Sequence, residues 1–202
     1  MSSYEIDGVR LPDPVAGRPA LDFCNTRAGW GSRMPKEYLI DPAVLPLWCR
    51  EAGLITPGDA ARLLDHPLPR DTQSVHLRTL AFREALYPVL LGHGQDADWA
   101  VVGEEAARAR GAGRLIRGNA NEPASWEPVW SGQETALLAV AAAAADFLTG
   151  PAHHTVAACP GIGCGWLFSD PRGRRRWCSM AVCGNRAKAR RHRHGPATGT
   201  DG

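Results

Sequence analysis

Hydrophobic and polar positions follow a helical period through much of the first 150 residues. In residues 71–92, "DTQSVHLRTLAFREALYPVLLG", apolar side chains recur every three to four positions, which predicts an amphipathic helix. Helices are also predicted in "AVLPLWCREAG" (43–53), "TPGDAARLLDH" (56–66), "DADWAVVGEEAARARG" (96–111) and "GQETALLAVAAAAADFLTG" (132–150). Thr56 is expected to cap the second of these. The pattern therefore indicates a mainly helical N-terminal domain.

The period changes at two places along the chain. Residues 114–132, "RLIRGNANEPASWEPVWSG", gain Gly, Asn and Pro and are predicted to form short strands joined by turns. Gly150-Pro151 ends the last alanine-rich helix, and glycine, cysteine and arginine dominate afterwards. We therefore divide the chain into a domain over 1–150, a module over 151–195 and a disordered tail over 196–202.

Composition agrees with a folded protein whose charge is unevenly distributed. Of the 202 residues, 44% are hydrophobic, enough for a core, and the net charge is only +2. Residues 1–158 hold 14 Lys and Arg against 19 Asp and Glu, whereas residues 159–202 hold 9 against 2. All nine of those cations lie between Arg172 and Arg193. This asymmetry favours a nucleic-acid partner for the C-terminal end.

Targeting signals are not apparent in the chain. The N-terminus "MSSYEIDGVRLPDPVAG" has no apolar run flanked by positive charge, and no stretch is apolar enough for a spanning helix. We expect a cytoplasmic protein without membrane contact. Because cytoplasmic thiols stay reduced, its paired cysteines are expected to hold metal.

Four cysteines form two pairs with the spacing Cys159-x4-Cys164-x13-Cys178-x4-Cys183. Two close pairs of thiolates separated by a short insert suit a tetrahedral, structural Zn2+. Free cysteines and an iron–sulfur cluster are the alternatives. A catalytic zinc is disfavoured because four cysteines leave no open position for substrate. Cys24 and Cys49 lie among apolar neighbours and are interpreted as core residues.

The segment between the cysteine pairs predicts the shape of the module. Residues 166–168 are expected to form a strand, Asp170-Pro171-Arg172-Gly173 a turn, and residues 174–177 a returning strand. Ser179 is a plausible N-cap for a helix that begins at Met180. The order of cysteine knuckle, hairpin and helix is that of a treble-clef-like zinc fold. The fold class is therefore α+β, a mainly helical N-terminal domain followed by a small treble-clef-like zinc-binding module.

Positive charge follows the cysteines on this helix. Arg186, Arg190 and Arg193 share one helical face, and arginine suits bidentate contacts with phosphate or guanine. The candidate DNA-binding residues are Arg172, Arg174, Arg175, Arg176, Arg186, Lys188, Arg190, Arg191 and Arg193. A solvated basic face, or one that docks on an acidic protein, is the alternative. Asn185 is interpreted as a residue that braces the second cysteine knuckle, formed by Cys178 and Cys183.

A polar cluster near the N-terminus is the candidate for a small-molecule site. It consists of Asp22, Asn25, Thr26 and Arg27. A helix cap or turn at Asn25-Thr26 is the simpler interpretation. We find no nucleophile elbow, Walker loop, HExxH motif or dinucleotide fingerprint, so we do not expect an enzyme.

The cysteine-containing segments "CGWLFSD", "RRRWCSM" and "CGNRAKARR" resemble the CGNR zinc finger. The stretch "PALDFCNT" (19–26) resembles the opening of the ABATE domain, which usually precedes that finger. The resemblance implies a stress-related transcription regulator whose zinc ligands are Cys159, Cys164, Cys178 and Cys183. It also implies an attached domain that senses a ligand.

The leading hypothesis is a regulator in which one zinc ion folds the C-terminal module and places its helix on double-stranded DNA. The N-terminal domain would bind a small-molecule effector or form a homodimer. A zinc-stabilised module that binds RNA or a protein is the alternative.

Overall fold

The structure is a computed structural model that describes residues 2–65 and 71–193. Its α-helices are α1 Pro19–Cys24, α2 Val44–Glu51, α3 Pro57–Leu64, α4 Asp71–Leu90, α5 Asp96–Gly111, α6 Thr135–Thr149 and α7 Asn185–Arg193. Its strands are β1 Ser3–Ile6, β2 Val9–Pro12, β3 Arg27–Ala28, β4 Lys36–Glu37, β5 Gly113–Ile116, β6 Ser125–Pro128, β7 Val156–Ala158 and β8 Leu167–Ser169. The strands pair as four antiparallel two-stranded sheets, β1–β2, β3–β4, β5–β6 and β7–β8.

Helix α6 lies at the centre of the helical part and packs against α1, α2, α4 and α5. Its first half is almost continuously buried, from Thr135 to Ala141. Small alanine side chains let the surrounding helices approach closely while Leu137 and Val140 fill the core. The helix predicted within 132–150 is confirmed, and it is packed in the core.

The predicted N-terminal helices are confirmed, and α5 has the predicted bounds. The hydroxyl of Thr56 accepts the backbone N–H of Asp59, whose carboxylate in turn accepts the N–H of Thr56. This capping box fixes the start of α3. The turn-rich segment forms β5 and β6, as predicted. The β1–β2 hairpin and the six-residue α1 carry too little periodicity to have been predicted.

The C-terminal module has the predicted order of knuckle and helix, but the predicted hairpin is wrong. Residues 174–177 form no strand; β8 pairs instead with β7, which precedes Cys159. The first knuckle, formed by Cys159 and Cys164, therefore lies between the two strands of this hairpin. Residues 170–178 lead from β8 to the helix without forming a strand or helix. The helix begins at Met180 as predicted, first as a π-helix over Met180–Gly184 and then as α7.

The module and the helical part share a continuous interior. Leu167 of β8 is fully buried in the helical core, whereas the four paired cysteines cluster with Ala28 and Tyr38 from the β3–β4 segment. None of the helices in the described ranges has the length and apolar character that a membrane crossing requires. The predicted tail over 196–202, with the preceding residues 194 and 195, lies outside the described residues.

Candidate metal centre and nucleic-acid interface

The four paired cysteines meet at one point. All are buried, and the Sγ atoms of Cys159, Cys164, Cys178 and Cys183 lie within 4.8 Å of one another. The Sγ of Cys178 is 3.6 Å from that of Cys164 and 3.6 Å from that of Cys183. Tetrahedral zinc with Zn–S bonds of about 2.3 Å places its sulfurs about 3.8 Å apart. The donor set and its spacing therefore fit a single structural Zn2+.

The clustered cysteines affect one another's ionisation. Hydrogen bonds from the Cys164 and Cys178 thiols lower the pKa of Cys159, and the same contacts with Cys159 raise the pKa of Cys164 and Cys178. At Cys24 and Cys49, which lie outside the cluster, burial raises the pKa of both thiols. Both are fully buried, so their interpretation as core residues is confirmed.

Glycines shape the first knuckle around the sulfurs. A Cβ on Gly161 would lie 3.1 Å from the Sγ of Cys183 and 3.4 Å from that of Cys159. Gly165 has φ +66°, and a Cβ there would approach the Cβ of Trp30 to 2.7 Å. Only glycine combines this backbone conformation with this close approach. The knuckle thus folds tightly over the metal centre and against the N-terminal part.

A buried amide joins the two parts of the chain directly. The Nδ2 of Asn25 donates to the carbonyl of Leu167 at 3.0 Å, and its Oδ1 accepts the Leu167 N–H at 2.7 Å. Asn25 therefore acts as an additional partner for β8 at a buried position. The Tyr87 hydroxyl adds a bond to the Gly165 carbonyl at 2.7 Å. These contacts set the position of the first knuckle on α1 and α4.

The β3–β4 segment is held against α4 by an ion pair whose arginine is buried. Arg83 of α4 is 1% exposed and donates to both carboxylate oxygens of Glu37 and, at 2.9 Å, to the Thr26 hydroxyl. The same Glu37 carboxylate accepts the N–H groups of Tyr38 and Leu39. Tyr38 packs against the cysteines, so this network orders one wall of the metal centre.

The predicted small-molecule residues are occupied by contacts within the protein. Asp22 is buried and accepts the Ala16 N–H at 2.9 Å, and burial raises the pKa of its carboxyl. Thr26 donates to the Phe23 carbonyl at 2.6 Å. The third predicted residue, Asn25, is bound to Leu167. The fourth, Arg27, pairs with Glu84 and lies over the Trp30 ring. Of the four, Asp22 alone lines the cavity of about 240 Å³ beside Tyr4 and Trp48.

The cationic helix starts immediately behind the metal centre. Cys183 is in the π-helix, in which the Cys183 and Gly184 N–H groups share the Ser179 carbonyl at 3.0 and 3.1 Å. Helix α7 follows, and none of its residues is buried. Its cations are Arg186, Lys188, Arg190, Arg191 and Arg193. The Asn185 amide donates to the Ala181 carbonyl at 3.1 Å, in agreement with a bracing role.

The arginines before the second knuckle differ in their surroundings. Arg172, Arg174 and Arg176 are exposed. Arg175 is half-buried, and its guanidinium donates to the carbonyls of Val15, Trp177 and Cys178. The guanidinium also lies 4.8 Å from the Phe168 ring centre. Arg175 therefore braces the crossing segment against the N-terminal part.

Sequence reasoning missed Tyr87, which joins the two parts, and Arg83, which orders the β3–β4 segment. Both lie on an ordinary helical pattern, and their partners are 78 and 46 residues away. The composition of segment 23–36 could have marked it as a basic surface, because it holds Arg27, Arg33 and Lys36 and no acidic residue.

Comparison with protein families agrees with this architecture. Residues 156–194 match the family model of the CGNR zinc finger. Residues 17–151 match the ABATE model, which is described as "Putative stress-induced transcription regulator". The chain belongs to the ABATE family. Among curated proteins, none matches the chain significantly.

The ABATE match gives a structural role to the sequence that suggested it. The stretch 19–26 forms α1 and the turn after it, and its Asn25 contacts the zinc finger. In this ABATE protein the signature residues therefore connect the N-terminal part to the metal-binding part.

Proposed function

We propose that this protein is a DNA-binding transcription regulator in which one structural zinc ion positions α7 on double-stranded DNA. The observation that carries the proposal is the placement of α7. It begins two residues after the zinc ligand Cys183, carries five cations and buries none of its side chains. A helix held rigidly at one end and exposed along its length can enter the major groove.

Charge on both sides of the second knuckle supports this interface. Arg186, Arg190 and Arg193 are assigned to the groove and its phosphates, with Lys188 and Arg191 beside them. Exposed Arg172, Arg174 and Arg176 are assigned to phosphates. Arg175, also predicted to bind DNA, has its guanidinium occupied by three carbonyls, so we assign it to positioning these neighbours.

The other functional assignments follow from the architecture as parts of the same proposal. Residues 1–150 would regulate and residues 151–195 would bind DNA in the cytoplasm, without catalysis. The cavity beside Asp22 is the place for a small-molecule effector, since it lies against α1, and Asn25 follows directly at the end of that helix. A homodimer would let two such modules read a palindromic site.

The test is binding of the zinc-loaded full chain to a 30-base-pair duplex of random sequence at several salt concentrations. Replacing Arg186, Arg190 and Arg193 together by Ala should reduce the slope of log affinity against log salt by about 2.7, at about 0.9 per lost phosphate contact. Replacing Arg62, Arg114 and Arg117 by Ala removes the same charge outside the module and should change the slope little.

Two results would overturn the proposal. One is an equal loss of affinity in both triple variants, which would mean that only net charge matters. The other is equal or tighter binding to an RNA duplex of the same sequence, which would favour an RNA-binding module.

A further inference from the structure

The mainly acidic N-terminal part contains two basic segments, 23–36 and 106–121. Residues 1–158 carry an excess of acidic side chains, yet residues 23–36 contain Arg27, Arg33 and Lys36 and no Asp or Glu. The structure places this segment beside the zinc module rather than elsewhere on the helical part. Its chemistry therefore continues the cationic character of the module.

The loop Gly29–Lys36 starts at a zinc ligand. The Gly29 N–H donates to the carbonyl of Cys164 at 3.0 Å, and a Cβ on Gly29 would lie 3.6 Å from the Gly163 carbonyl oxygen. Helix α7 starts near another ligand, Cys183. Because the four sulfurs lie within 4.8 Å of one another, the loop and α7 both begin at the metal centre.

The base of this loop is rigid. The Trp30 ring stacks on the Tyr87 ring with centroids 3.8 Å apart and an interplanar angle of 16°. The Trp30 Nε1–H donates to the Cys24 carbonyl at 3.2 Å. The loop therefore presents the residues after Trp30 from a fixed base, which lowers the entropy lost on binding a partner.

The cations at the end of the loop are available to a partner. Arg33 and Lys36 are exposed, and neither has a carboxylate within 4.0 Å in the part of the chain that the structure describes. The Lys36 Nζ lies 4.4 Å from the Tyr38 ring centre, a cation–π contact that leaves the side chain exposed. Arg27, at the base of the loop, is instead paired with Glu84. In the basic stretch over 106–121, by comparison, Arg108, Arg110 and Arg114 are paired with carboxylates, whereas Arg117 is exposed and has no carboxylate within 4.0 Å among the described residues.

Two strongly exposed apolar side chains lie on this loop and on the knuckle that it contacts. Met34 is 87% exposed and Ile162 of the neighbouring knuckle is 79% exposed, the two highest values among large apolar side chains in the described ranges. Proteins that bind the minor groove combine cations with apolar side chains such as Met and Ile at base steps. The combination fits a nucleic-acid surface better than a freely hydrated loop.

We propose that the loop Gly29–Lys36 is a second DNA-contacting segment, in which Arg33 and Lys36 bind phosphates beside the duplex segment occupied by α7. The proposal rests on the proposed function and adds to it. The N-terminal part then takes a direct part in DNA binding through a loop fixed to the zinc ligand Cys164.

The experiment compares three variants of the zinc-loaded full chain on the same random 30-base-pair duplex. Arg33→Ala/Lys36→Ala should reduce the salt slope by about 1.8 and the affinity at 0.1 M salt by roughly 10- to 60-fold, at about 0.9 per phosphate contact. The control Arg114→Ala/Arg117→Ala removes the same charge from the β5–β6 segment and should leave both values near wild type. Arg33→Lys/Lys36→Arg keeps the charge and should keep the slope.

The outcomes separate this proposal from the function on which it rests. If the α7 triple variant loses binding while Arg33→Ala/Lys36→Ala behaves like its control, the loop proposal is wrong and the function stands. If the α7 variant binds DNA normally, the proposed function is wrong and the loop proposal with it. Zinc content of one per chain in every variant excludes misfolding as the cause. A loop variant that binds DNA normally overturns the proposal, even where it loses a protein partner.

Discussion

Asn25 and Leu167 are 142 residues apart in the chain and exchange two hydrogen bonds at a fully buried position. One carboxamide thereby satisfies both backbone groups of a residue in the zinc module. The contact connects α1 to β8, and the metal centre lies at the end of the same hairpin. It makes the position of the finger depend on a side chain of the N-terminal part.

Asn25→Ala is expected to destabilise the zinc-loaded protein by about 2–4 kcal/mol, because the Leu167 N–H and carbonyl lose their partners while they remain buried. Urea denaturation followed by circular dichroism measures the change. Asn119→Ala is the control, since that amide is exposed and donates to the neighbouring Glu122 carboxylate. An effect of Asn25→Ala as small as that of the control would contradict the importance of this contact.

Cys178→Ser is expected to abolish stoichiometric zinc binding, because it removes one of four converging thiolates. Zinc analysis of the purified protein should fall from about one ion per chain to well below it. Cys49→Ala alters a buried cysteine outside the site and should keep its zinc. Equal zinc content in both variants would exclude the assigned ligand set.

The Arg83–Glu37 pair should respond unequally to loss of either partner. Glu37→Gln leaves the guanidinium of Arg83, which is 1% exposed, with the more distant Glu84 carboxylate at 3.8 Å as its remaining counter-charge among the described residues, at a cost of about 3 kcal/mol. Arg83→Met leaves the Glu37 carboxylate partly in contact with water, so about 1–2 kcal/mol is expected. Denaturation of both single variants and the double variant gives the coupling energy. The reverse order of the two losses would show that Arg83 is not the buried partner.

His76 should make stability depend on pH. It is buried, its Nδ1 has no hydrogen-bond partner among residues 2–65 and 71–193, and burial lowers its pKa from 6.5. The unfolded chain therefore binds a proton more readily than the folded protein, so stability is lost as the pH falls below about 6.5. Comparing wild type with His76→Gln at pH 7.5 and 5.5 isolates this group, because both proteins carry the same zinc site. A similar loss in both proteins would assign the pH dependence to other groups.

Features with a local cause could be predicted from the sequence. The spacing of the cysteines indicated the metal centre because two close pairs favour a single ion, and periodicity predicted α5 to its end residues. The pairing of β8 was wrong, since residues 166–168 are apolar whichever strand lies beside them. Asn25 and Thr26 resembled a polar ligand site because their partners, Leu167 and Arg83, are distant in sequence and no local pattern marks them.

Leu167 belongs to the zinc finger by sequence and to the helical core by packing. Separation of residues 156–193 from the rest would leave a hole where this side chain lies and would expose it to water on the excised fragment. The finger of this protein therefore cannot be moved to another protein with its packing intact. A chimera that grafts it onto another scaffold has to carry along a surface equivalent to α1.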